Sequence, residues 1–348
     1  MSQAQRVLVT GAAGFAGGYI LRSLLDAGHQ VVAFDLADYR AETRFVIGAG
    51  LNAIPFEKGS IDDWPRVLQV FLRHRPTSVV HAGGHMDTAF LDEHPTIALQ
   101  TNVGGAVNLL EASRLLGGVG RFIFLSSIGV IGKRIYEPID SNHPIITATT
   151  GPLGAYGAAK AAAEAFCFAY QQTFDLDVRI IRPSALYGFG MSWYAPNYMK
   201  NIVEPAVMGQ PVRLATGGPV PRDYTNAADL ASLVNAVLAG PDDADRLFYA
   251  ATGKPLRTAS EVGAIVRELV PGAVVEIADA WSDVDRAELP IRGQISIENA
   301  MQGLGWSPQF ADLRAGIGDY ISRIRAYLAT GGVLTPLPAG LVKAPGQA

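Results

Sequence analysis

The amino-acid sequence predicts an α/β protein of the Rossmann type, a doubly wound parallel sheet with a smaller C-terminal α/β cap for substrate binding. Three observations predict this fold. Short apolar runs alternate with helical stretches from residue 6 to about 183, as in repeated βαβ units. A glycine-rich turn follows the first apolar run, and an aspartate ends the second. Beyond residue 183 Gly, Pro, Trp, Tyr and Met become frequent, which suits substrate-facing loops.

The pattern also predicts where the elements lie. Strands are expected near 6–10, 31–35, 53–57, 78–82, 121–126 and 178–182. Helices are expected near 15–28, 62–74, 95–117 and 155–174, and in the cap near 258–270, 296–304 and 310–328. A helix over 226–239 and a strand over 247–250 are expected to return to the sheet.

These elements divide the chain into regions. We expect a Rossmann domain over 1–183, to which 224–252 returns. The substrate-binding region is expected over 184–223 and 253–330, and a flexible Gly- and Pro-rich tail over 331–348.

Composition limits the classes of function. With 49% hydrophobic and 17% charged residues in 348, the chain can bury a large core. A formal net charge of −4 gives no electrostatic reason to expect nucleic acid or an anionic membrane as a partner. The single cysteine, Cys167, excludes an internal disulfide, and no residues have metal-ligand spacing. Without a secretory hydrophobic region near the N-terminus, a cytoplasmic location is expected.

The glycine-rich turn predicts a dinucleotide site. Val7–Val9 form an apolar strand, and Gly11, Gly14 and Gly17 then lead into a helix. Glycines permit the tight turn, the close approach of a pyrophosphate, and the packing of the helix on its strand. The helix N-terminus offers free N–H groups to phosphate. An ordinary glycine-rich turn is the alternative interpretation.

The acid after the second strand strengthens this prediction. Asp35 lies at the separation from the glycines where a carboxylate accepts hydrogen bonds from the adenosine ribose. Since it would repel a 2′-phosphate, NAD is favoured over NADP. Arg40 and Arg44 follow closely, so that preference is expected to be moderate.

Tyr156 and Lys160 are the candidate proton-transfer pair. Four residues apart on a predicted helix, their side chains share a face. A nearby ammonium group favours the phenolate form of a tyrosine, which makes Tyr156 a candidate general base. A surface tyrosine and lysine spaced by chance are the alternative.

A pair of serines follows a buried strand. Ser126 and Ser127 come directly after residues 122–125, at the edge where ligands bind in open parallel sheets. A serine there can hold a substrate oxygen beside Tyr156. The alternative role, capping the next turn, is expected of Ser126 rather than of Ser127.

Together these motifs resemble a known superfamily. They are TGAAGFAG at 10–17, Asp35, VVHAGG at 79–84, TNVGGAVNLLEA at 101–112, FLSSIGVIG at 124–132, YGAAK at 156–160, RPSALYGFG at 182–190, RDYTNAADLA at 222–231 and LGWSP at 304–308. The sequence is identified as an extended short-chain dehydrogenase/reductase. It is most similar to the NAD-dependent epimerase/dehydratase family, which includes UDP-glucose 4-epimerase.

The resemblance implies roles in cofactor binding along the whole first domain. The implied NAD-binding residues are Gly11, Ala13, Gly14, Phe15, Ala16, Gly17, Asp35, Ser60, Ile61, Ala82, Gly83, Gly84, Asn102, Tyr156, Lys160, Pro183 and Ser184. Ser60 stands where the family has an aspartate against the adenine, and Asp62 is a candidate to compensate.

The resemblance also implies catalytic and substrate-binding residues. The implied catalytic residues are Ser127, Tyr156, Lys160 and Asn102, and the substrate residues are His85, Ser127, Tyr156, Asn197 and Arg222. Arg222 aligns with an arginine that holds the diphosphate of nucleotide sugars, and a salt bridge to Asp223 or Asp229 is its alternative. The residues that determine substrate specificity are expected within 85–94 and 193–198.

One departure from the family narrows the reaction. Ile128 and Gly129 follow the serine where dehydratases carry an acid, which argues against dehydration. An epimerase acting on a nucleotide sugar is favoured. A dehydrogenase of a free sugar, sugar acid or polyol derivative, and an NAD-sensing protein without turnover, remain alternatives. A homodimer is expected through the helices near 103–117 and 155–174.

Overall fold

The computed structural model describes residues 4–146, 153–192 and 198–334. Its strands are β1 (Arg6–Thr10), β2 (Gln30–Asp35), β3 (Phe56–Lys58), β4 (Ser78–His81), β5 (Arg121–Leu125), β6 (Val178–Pro183), β7 (Ala185–Tyr187), β8 (Val212–Leu214), β9 (Pro221–Arg222), β10 (Tyr224–Asn226), β11 (Leu247–Ala250), β12 (Arg257–Thr258) and β13 (Val275–Ile277).

The helices are α1 (Phe15–Asp26), α2 (Ala41–Ile47), α3 (Trp64–His74), α4 (Thr88–Glu93), α5 (Pro95–Ile97), α6 (Gly105–Leu116), α7 (Gly154–Phe174), α8 (Tyr198–Val207), α9 (Ala227–Ala239), α10 (Ala259–Leu269), α11 (Asp283–Glu288), α12 (Glu298–Leu304) and α13 (Leu313–Ala329). Short 3₁₀ segments occupy Gly48–Ala53, Ile128–Val130 and Leu289–Ile291, and a π-helical segment occupies Ala98–Gly104.

Seven parallel strands form the central sheet, in the order β11-β6-β5-β4-β1-β2-β3. Strands β4 and β5 are buried along their whole length, as expected when helices cover both faces. The order reverses between β1 and β4, so loops leaving these strands diverge and open a crevice at their carboxyl ends. The predicted doubly wound α/β fold is confirmed.

Two predicted elements differ in detail. The third strand begins at Phe56 because Gly48–Ala53 form a 3₁₀ segment. The predicted helix over 95–117 contains the π-helical segment Ala98–Gly104 between α5 and α6. The spacing of apolar residues along the sequence does not reveal this π-helical segment. Such segments are frequent at functional sites.

The cap is built from short sheets and helices. Strand β8 pairs with β13, β9 pairs with β12, and β7 pairs with β10. Helix α8 packs against α10 and α13. A bridge between Ile139 and Ile295 joins the cap to the chain that follows β5. Segments distant in sequence therefore meet above the carboxyl ends of the central strands.

The C-terminal segment is partly packed. Leu334 is buried, although the sequence predicts a flexible tail from residue 331. Residues 335–348 lie outside the described residues. No helix in the described ranges has the length and apolar character needed to cross a membrane. The division into cofactor and substrate regions stays a prediction.

Candidate active site

The glycine-rich turn connects β1 to α1 beneath the loop that follows β4. Gly11 has φ +66°, and a Cβ atom there would lie 2.6 Å from the Ala82 carbonyl carbon. A Cβ on Gly17 would lie 2.1 Å from the Gly11 carbonyl oxygen. Both positions therefore exclude larger residues.

Helix α1 begins without a side-chain cap. Gly14 is its N-cap residue and makes no side-chain hydrogen bond there, so N–H groups of the first turn remain available for phosphate. Phe15 and Ala16 open the helix and are half-buried, while Ala13 is buried in the turn. This cradle fits the pyrophosphate of a dinucleotide.

Asp35 ends β2 beside the same turn. Its Oδ2 accepts a hydrogen bond from the Ala13 N–H at 2.9 Å, and its Oδ1 accepts one from Ala37 at 3.0 Å. The carboxylate is thereby oriented next to the phosphate cradle, where the adenosine ribose would lie. Arg40 and Arg44 donate instead to the carbonyl oxygens of Gly190 and Tyr39, so neither is committed to this carboxylate.

The predicted adenine contacts lie after β3. Ile61 is buried, and its carbonyl oxygen accepts a hydrogen bond from Asn108 Nδ2 at 3.0 Å. Ser60 is half-buried. Asp62 Oδ2 accepts a hydrogen bond from the Thr101 hydroxyl at 3.1 Å, so the carboxylate suggested to replace the missing aspartate already has a protein partner.

The loop after β4 is fixed from below by two buried side chains. Thr10 Oγ1 lies 2.7 Å from His81 Nδ1 and accepts a hydrogen bond from the Gly83 N–H at 3.2 Å. Burial, together with the nearby charge of Lys160, holds the pKa of His81 well below its usual range. His81 is therefore a neutral packing residue that supports Ala82 and Gly83.

Asn102 clamps the end of this loop from the π-helical segment. Its Oδ1 accepts a hydrogen bond from the His85 N–H at 2.7 Å, and its Nδ2 donates to the His85 carbonyl oxygen at 2.9 Å. A Cβ on Gly84, whose φ is +145°, would lie 2.8 Å from Asn102 Oδ1. The His85 ring stacks on Phe90 with centroids 4.7 Å apart. Asn102 thus positions the segment that leads to His85.

Of the two serines after β5, the one that caps the next turn is not the one predicted. Ser127, not Ser126, caps the following turn, since its Oγ accepts a hydrogen bond from the Gly129 N–H at 3.1 Å. Ser126 Oγ is buried with no hydrogen-bond partner in the described ranges. The Ser127 hydroxyl can still donate its own proton to a substrate oxygen, because the cap uses only a lone pair.

Tyr156 and Lys160 lie one turn apart near the start of α7. Lys160 is buried, and its Nζ donates to the Leu125 carbonyl oxygen at 2.8 Å and lies 4.8 Å from the centre of the Phe124 ring. Burial lowers the pKa of this ammonium group to about 8. Tyr156 is half-buried. The helix therefore holds the lysine against the strand that ends at the two serines.

Pro183 and Ser184 follow at the end of β6. The Ser184 hydroxyl lies 2.6 Å from Asp223 Oδ1 and 2.7 Å from Thr225 Oγ1. Its backbone N–H donates to the Ala250 carbonyl oxygen at 3.0 Å. Ser184, which is expected beside the nicotinamide carboxamide, thus has its hydroxyl hydrogen-bonded to Thr225 of β10 and to Asp223, the residue before β10.

Arg222 is paired with carboxylates that the sequence did not suggest. Its Nη2 lies 3.2 Å from Asp285 Oδ1, and its Nη1 lies 3.2 Å from Glu288 Oε2. The expected alternative, a salt bridge to Asp223 or Asp229, is wrong. Asp223 instead accepts from Thr252, and Asp229 accepts from the Gln309 N–H at 2.7 Å.

A second arginine, Arg292, also pairs with Glu288. We refer to Arg222, Asp285, Glu288 and Arg292 as the arginine–carboxylate cluster. Sequence reasoning missed the last three, although the charged run over 283–292 was a possible signal. Asn197 and most of the predicted specificity segment over 193–198 lie outside the described residues.

The described site residues have the donors and the space that NAD requires. The glycine cradle, the uncapped helix N-terminus, Asp35 and the loop over 82–84 follow one another along the carboxyl ends of β1, β2 and β4. Ser127, Lys160 and Pro183 continue this line at the ends of β5 and β6. An extended dinucleotide fits this arrangement.

Comparisons with known proteins agree with this geometry. UDP-glucose 4-epimerase of Mycolicibacterium smegmatis is 30% identical over 92% of this chain and 98% of its own length. The structure of Thermus thermophilus UDP-glucose 4-epimerase in complex with NAD matches with a TM-score of 0.73 at 28% identity, covering 92% of this chain and 99% of that one.

A second solved structure supports the fold. The Thermotoga maritima UDP-glucose 4-epimerase with UDP-glucose matches with a TM-score of 0.80 at 24% identity, covering 93% of this chain and 99% of that one. The family model described as "NAD dependent epimerase/dehydratase family" matches residues 7–248. The chain therefore belongs to the NAD-dependent epimerase/dehydratase family and is an NAD-dependent enzyme with the extended short-chain dehydrogenase/reductase fold.

Proposed function

We propose that this enzyme epimerises a nucleotide sugar by oxidising one carbinol carbon and then reducing it from the opposite face. The observation that carries this proposal is Lys160, held 2.8 Å from the Leu125 carbonyl oxygen. This contact joins the start of α7, which carries Tyr156, to the end of β5, two residues before Ser127. The relatives named as UDP-glucose 4-epimerases support the choice of a nucleotide sugar.

NAD, when bound, supplies a group that accepts a hydride from carbon and can return it. The residues proposed to hold it are Gly11, Ala13, Gly14, Phe15, Ala16, Gly17, Asp35, Ser60, Ile61, Ala82, Gly83, Gly84, Asn102, Tyr156, Lys160, Pro183 and Ser184.

The proton of the substrate hydroxyl is assigned to Tyr156. Its phenol oxygen would take this proton as the carbinol is oxidised and give it back in the reverse step. Ser127 would donate a hydrogen bond to the same substrate oxygen. Lys160 would favour the phenolate through its charge, and Asn102 would hold the loop at His85 in position.

Substrate binding is assigned to the cap and the loops that face it. Arg222 has the charge for a diphosphate, and Ser127, Tyr156, His85 and Asn197 are the remaining proposed contacts. A bidentate guanidinium suits a phosphoryl group.

A second candidate is a dehydrogenase of a free sugar, sugar acid or polyol derivative. The pairing of Arg222 with both Asp285 and Glu288 favours it, because these carboxylates neutralise the guanidinium that a diphosphate would need. In this reaction the oxidised product leaves and reduced cofactor is exchanged.

The two candidates differ in what happens to the cofactor. We would denature freshly purified protein and separate the released nucleotide by chromatography. Near-stoichiometric NAD or NADH is expected for an epimerase, which regenerates its cofactor in each cycle. Protein that releases none and takes up NAD reversibly would overturn the epimerase in favour of the dehydrogenase.

The proposal includes a homodimer formed through α6 and α7. Support comes from exposed apolar side chains on these helices, since Leu115, Phe166 and Phe174 are 52%, 44% and 46% exposed. Light scattering after gel filtration should give twice the 36.9 kDa chain mass. A monomer at micromolar concentration would contradict it.

The proposed cytoplasmic location is supported by the single, buried cysteine.

A further inference from the structure

The arginine–carboxylate cluster is a buried group of balanced charge. The side chains of Arg222, Asp285, Glu288 and Arg292 are 5%, 2%, 14% and 10% exposed. Two guanidinium groups face two carboxylates, so the cluster is formally neutral. A dianionic diphosphate gains little from such a cluster unless one of the carboxylates moves away.

The two carboxylates are held very differently. Asp285 Oδ2 accepts hydrogen bonds from the Tyr198 hydroxyl at 2.5 Å and from the Ser282 hydroxyl at 2.6 Å, and Ser282 is the N-cap residue of α11. In the described part of the chain, the Glu288 carboxylate pairs with the two arginines, both through Oε2. Asp285 is therefore fixed by neighbouring hydroxyl groups, whereas displacement of the Glu288 carboxylate breaks only its ion pairs.

Three buried donors around this cluster have no acceptor. Arg222 Nε, Arg292 Nε and the Tyr224 hydroxyl are buried and make no hydrogen bond in the described ranges. Tyr224 lies close enough to both arginines for their charges to act on its hydroxyl. Buried donors are almost always paired in native proteins. Donors left over at one place indicate an acceptor that binds there, and cationic donors favour an anionic oxygen.

Arg292 also lies on the reacting side of the cap. It lines a small cavity together with Ile128, the residue after Ser127, and with Ser184. Arg222 and Tyr224 line a larger neighbouring cavity of about 270 Å³. Because the Glu288 carboxylate pairs with both arginines, an anionic group that took its place would meet Arg292 as well as Arg222.

We propose that Glu288 is an internal competitor, whose carboxylate occupies Arg222 and Arg292 until an anionic group of the substrate replaces it. This inference rests on the proposed function for the location of the substrate. The anionic group is a phosphoryl group of a nucleotide sugar or a carboxylate on the sugar itself. Glu288 therefore sets substrate specificity. It weakens the binding of every substrate whose anionic group interacts with the two arginines less strongly than the Glu288 carboxylate does.

The test measures binding rather than turnover. UDP and glucuronate are titrated calorimetrically, at low salt, into NAD-loaded wild type and Glu288→Gln. Glutamine keeps the shape of the side chain and removes its charge, so at least one probe should bind about tenfold more tightly, equivalent to about 1.4 kcal/mol. Glu276→Gln, which removes an exposed partner of Arg213, should leave both affinities unchanged.

The two probes distinguish the sources of the anion. A gain for UDP alone supports a phosphoryl group, a gain for glucuronate alone supports a sugar carboxylate, and a gain for both supports a site that accepts either. Unchanged affinity for both probes in Glu288→Gln would overturn the proposal.

Arg292 supplies an independent test should Glu288→Gln fail to fold. Arg292→Gln is expected to weaken the responsive probe about tenfold, and Arg292→Lys should restore part of that loss, since lysine keeps the charge but not the planar fork. Wild-type affinity for both probes in Arg292→Gln would contradict the proposal. If the purified protein releases neither NAD nor NADH while these variants respond as expected, only the proposed reaction is disproved.

Discussion

Two buried cations belong to the proposed site, one at the catalytic edge and one in the cap, and the protein compensates their charges in different ways. Lys160, on the catalytic edge formed by the ends of β4 and β5 and the start of α7, contacts a carbonyl oxygen and an aromatic ring. Arg222, in the cap, is paired with Asp285 and Glu288.

The contrast explains what each cation can do. No carboxylate in the described ranges pairs with Lys160, and burial lowers its pKa to about 8, so its charge responds to small changes nearby. Arg222 is instead held by two carboxylates, which tie β9 to α11. The catalytic edge thus keeps a poorly compensated charge next to the chemistry, while the cap balances its charges until a ligand arrives.

The largest expected effect is a loss of turnover at the catalytic edge. In Tyr156→Phe the general base is lost, so turnover should fall about 10²- to 10⁴-fold. NAD binding and the melting temperature should stay close to those of wild type, because the ring remains. Steady-state kinetics, with NAD titration and thermal melting, checks this. Turnover within a few-fold of wild type would show that another group carries the proton.

Removing the cation of the cap should instead affect folding. Arg222→Met leaves the buried Asp285 without a cationic partner in the described ranges and leaves Glu288 with Arg292 alone. The free energy of unfolding should therefore fall by about 3–5 kcal/mol. Arg257, opposite Arg222 in the β9–β12 pair, gives a matched control. Its salt bridge to Glu261 is exposed, so Arg257→Met should cost at most about 1 kcal/mol. Equal losses in urea titrations would remove the contrast between the two regions.

Lys160→Met should instead increase the free energy of unfolding at neutral pH. The folded protein holds a lysine whose pKa is lowered to about 8, so keeping its charge costs stability below that pH and the cost disappears as the pH rises towards 10.5. The methionine variant should therefore be more stable than wild type at pH 7, by about 1–3 kcal/mol.

The pH profile is the decisive readout for Lys160→Met. Urea unfolding at pH 7 and pH 10 should show the advantage of the variant shrinking as the pH rises. Lys58→Met, at an exposed residue paired with Asp38, should show no such trend. A variant that is less stable than wild type at pH 7 would contradict the weak compensation of Lys160.

The smallest expected effect concerns cofactor choice on the catalytic side. Asp35→Asn removes the charge that repels a 2′-phosphate while an amide oxygen can still accept from Ala13. The ratio of NADP to NAD affinity should rise about tenfold, equivalent to about 1.4 kcal/mol. Fluorescence titration with both cofactors measures it, and Asp38→Asn serves as the control. An unchanged ratio would mean that Asp35 does not face the ribose.

Cofactor features could be predicted from the sequence because each depends on neighbours along the chain. A strand, a glycine turn and a helix follow within residues 7–17, and the spacing of Tyr156 and Lys160 places them on one helical face whatever the rest of the fold does. The capping role, however, was predicted for Ser126 and belongs to Ser127, since a one-residue difference in where a turn begins decides which hydroxyl caps it.

Only the tertiary structure decided the partners of Arg222 and the clamp of Asn102 on His85. Asp285 lies 63 residues from Arg222 along the chain, and no periodicity relates the two. The π-helical segment that carries Asn102 has the same apolar pattern as an ordinary helix. Local motifs can be predicted because backbone geometry and helical period relate residues that are close along the chain. Charge pairing depends instead on which distant segments the folded cap brings together.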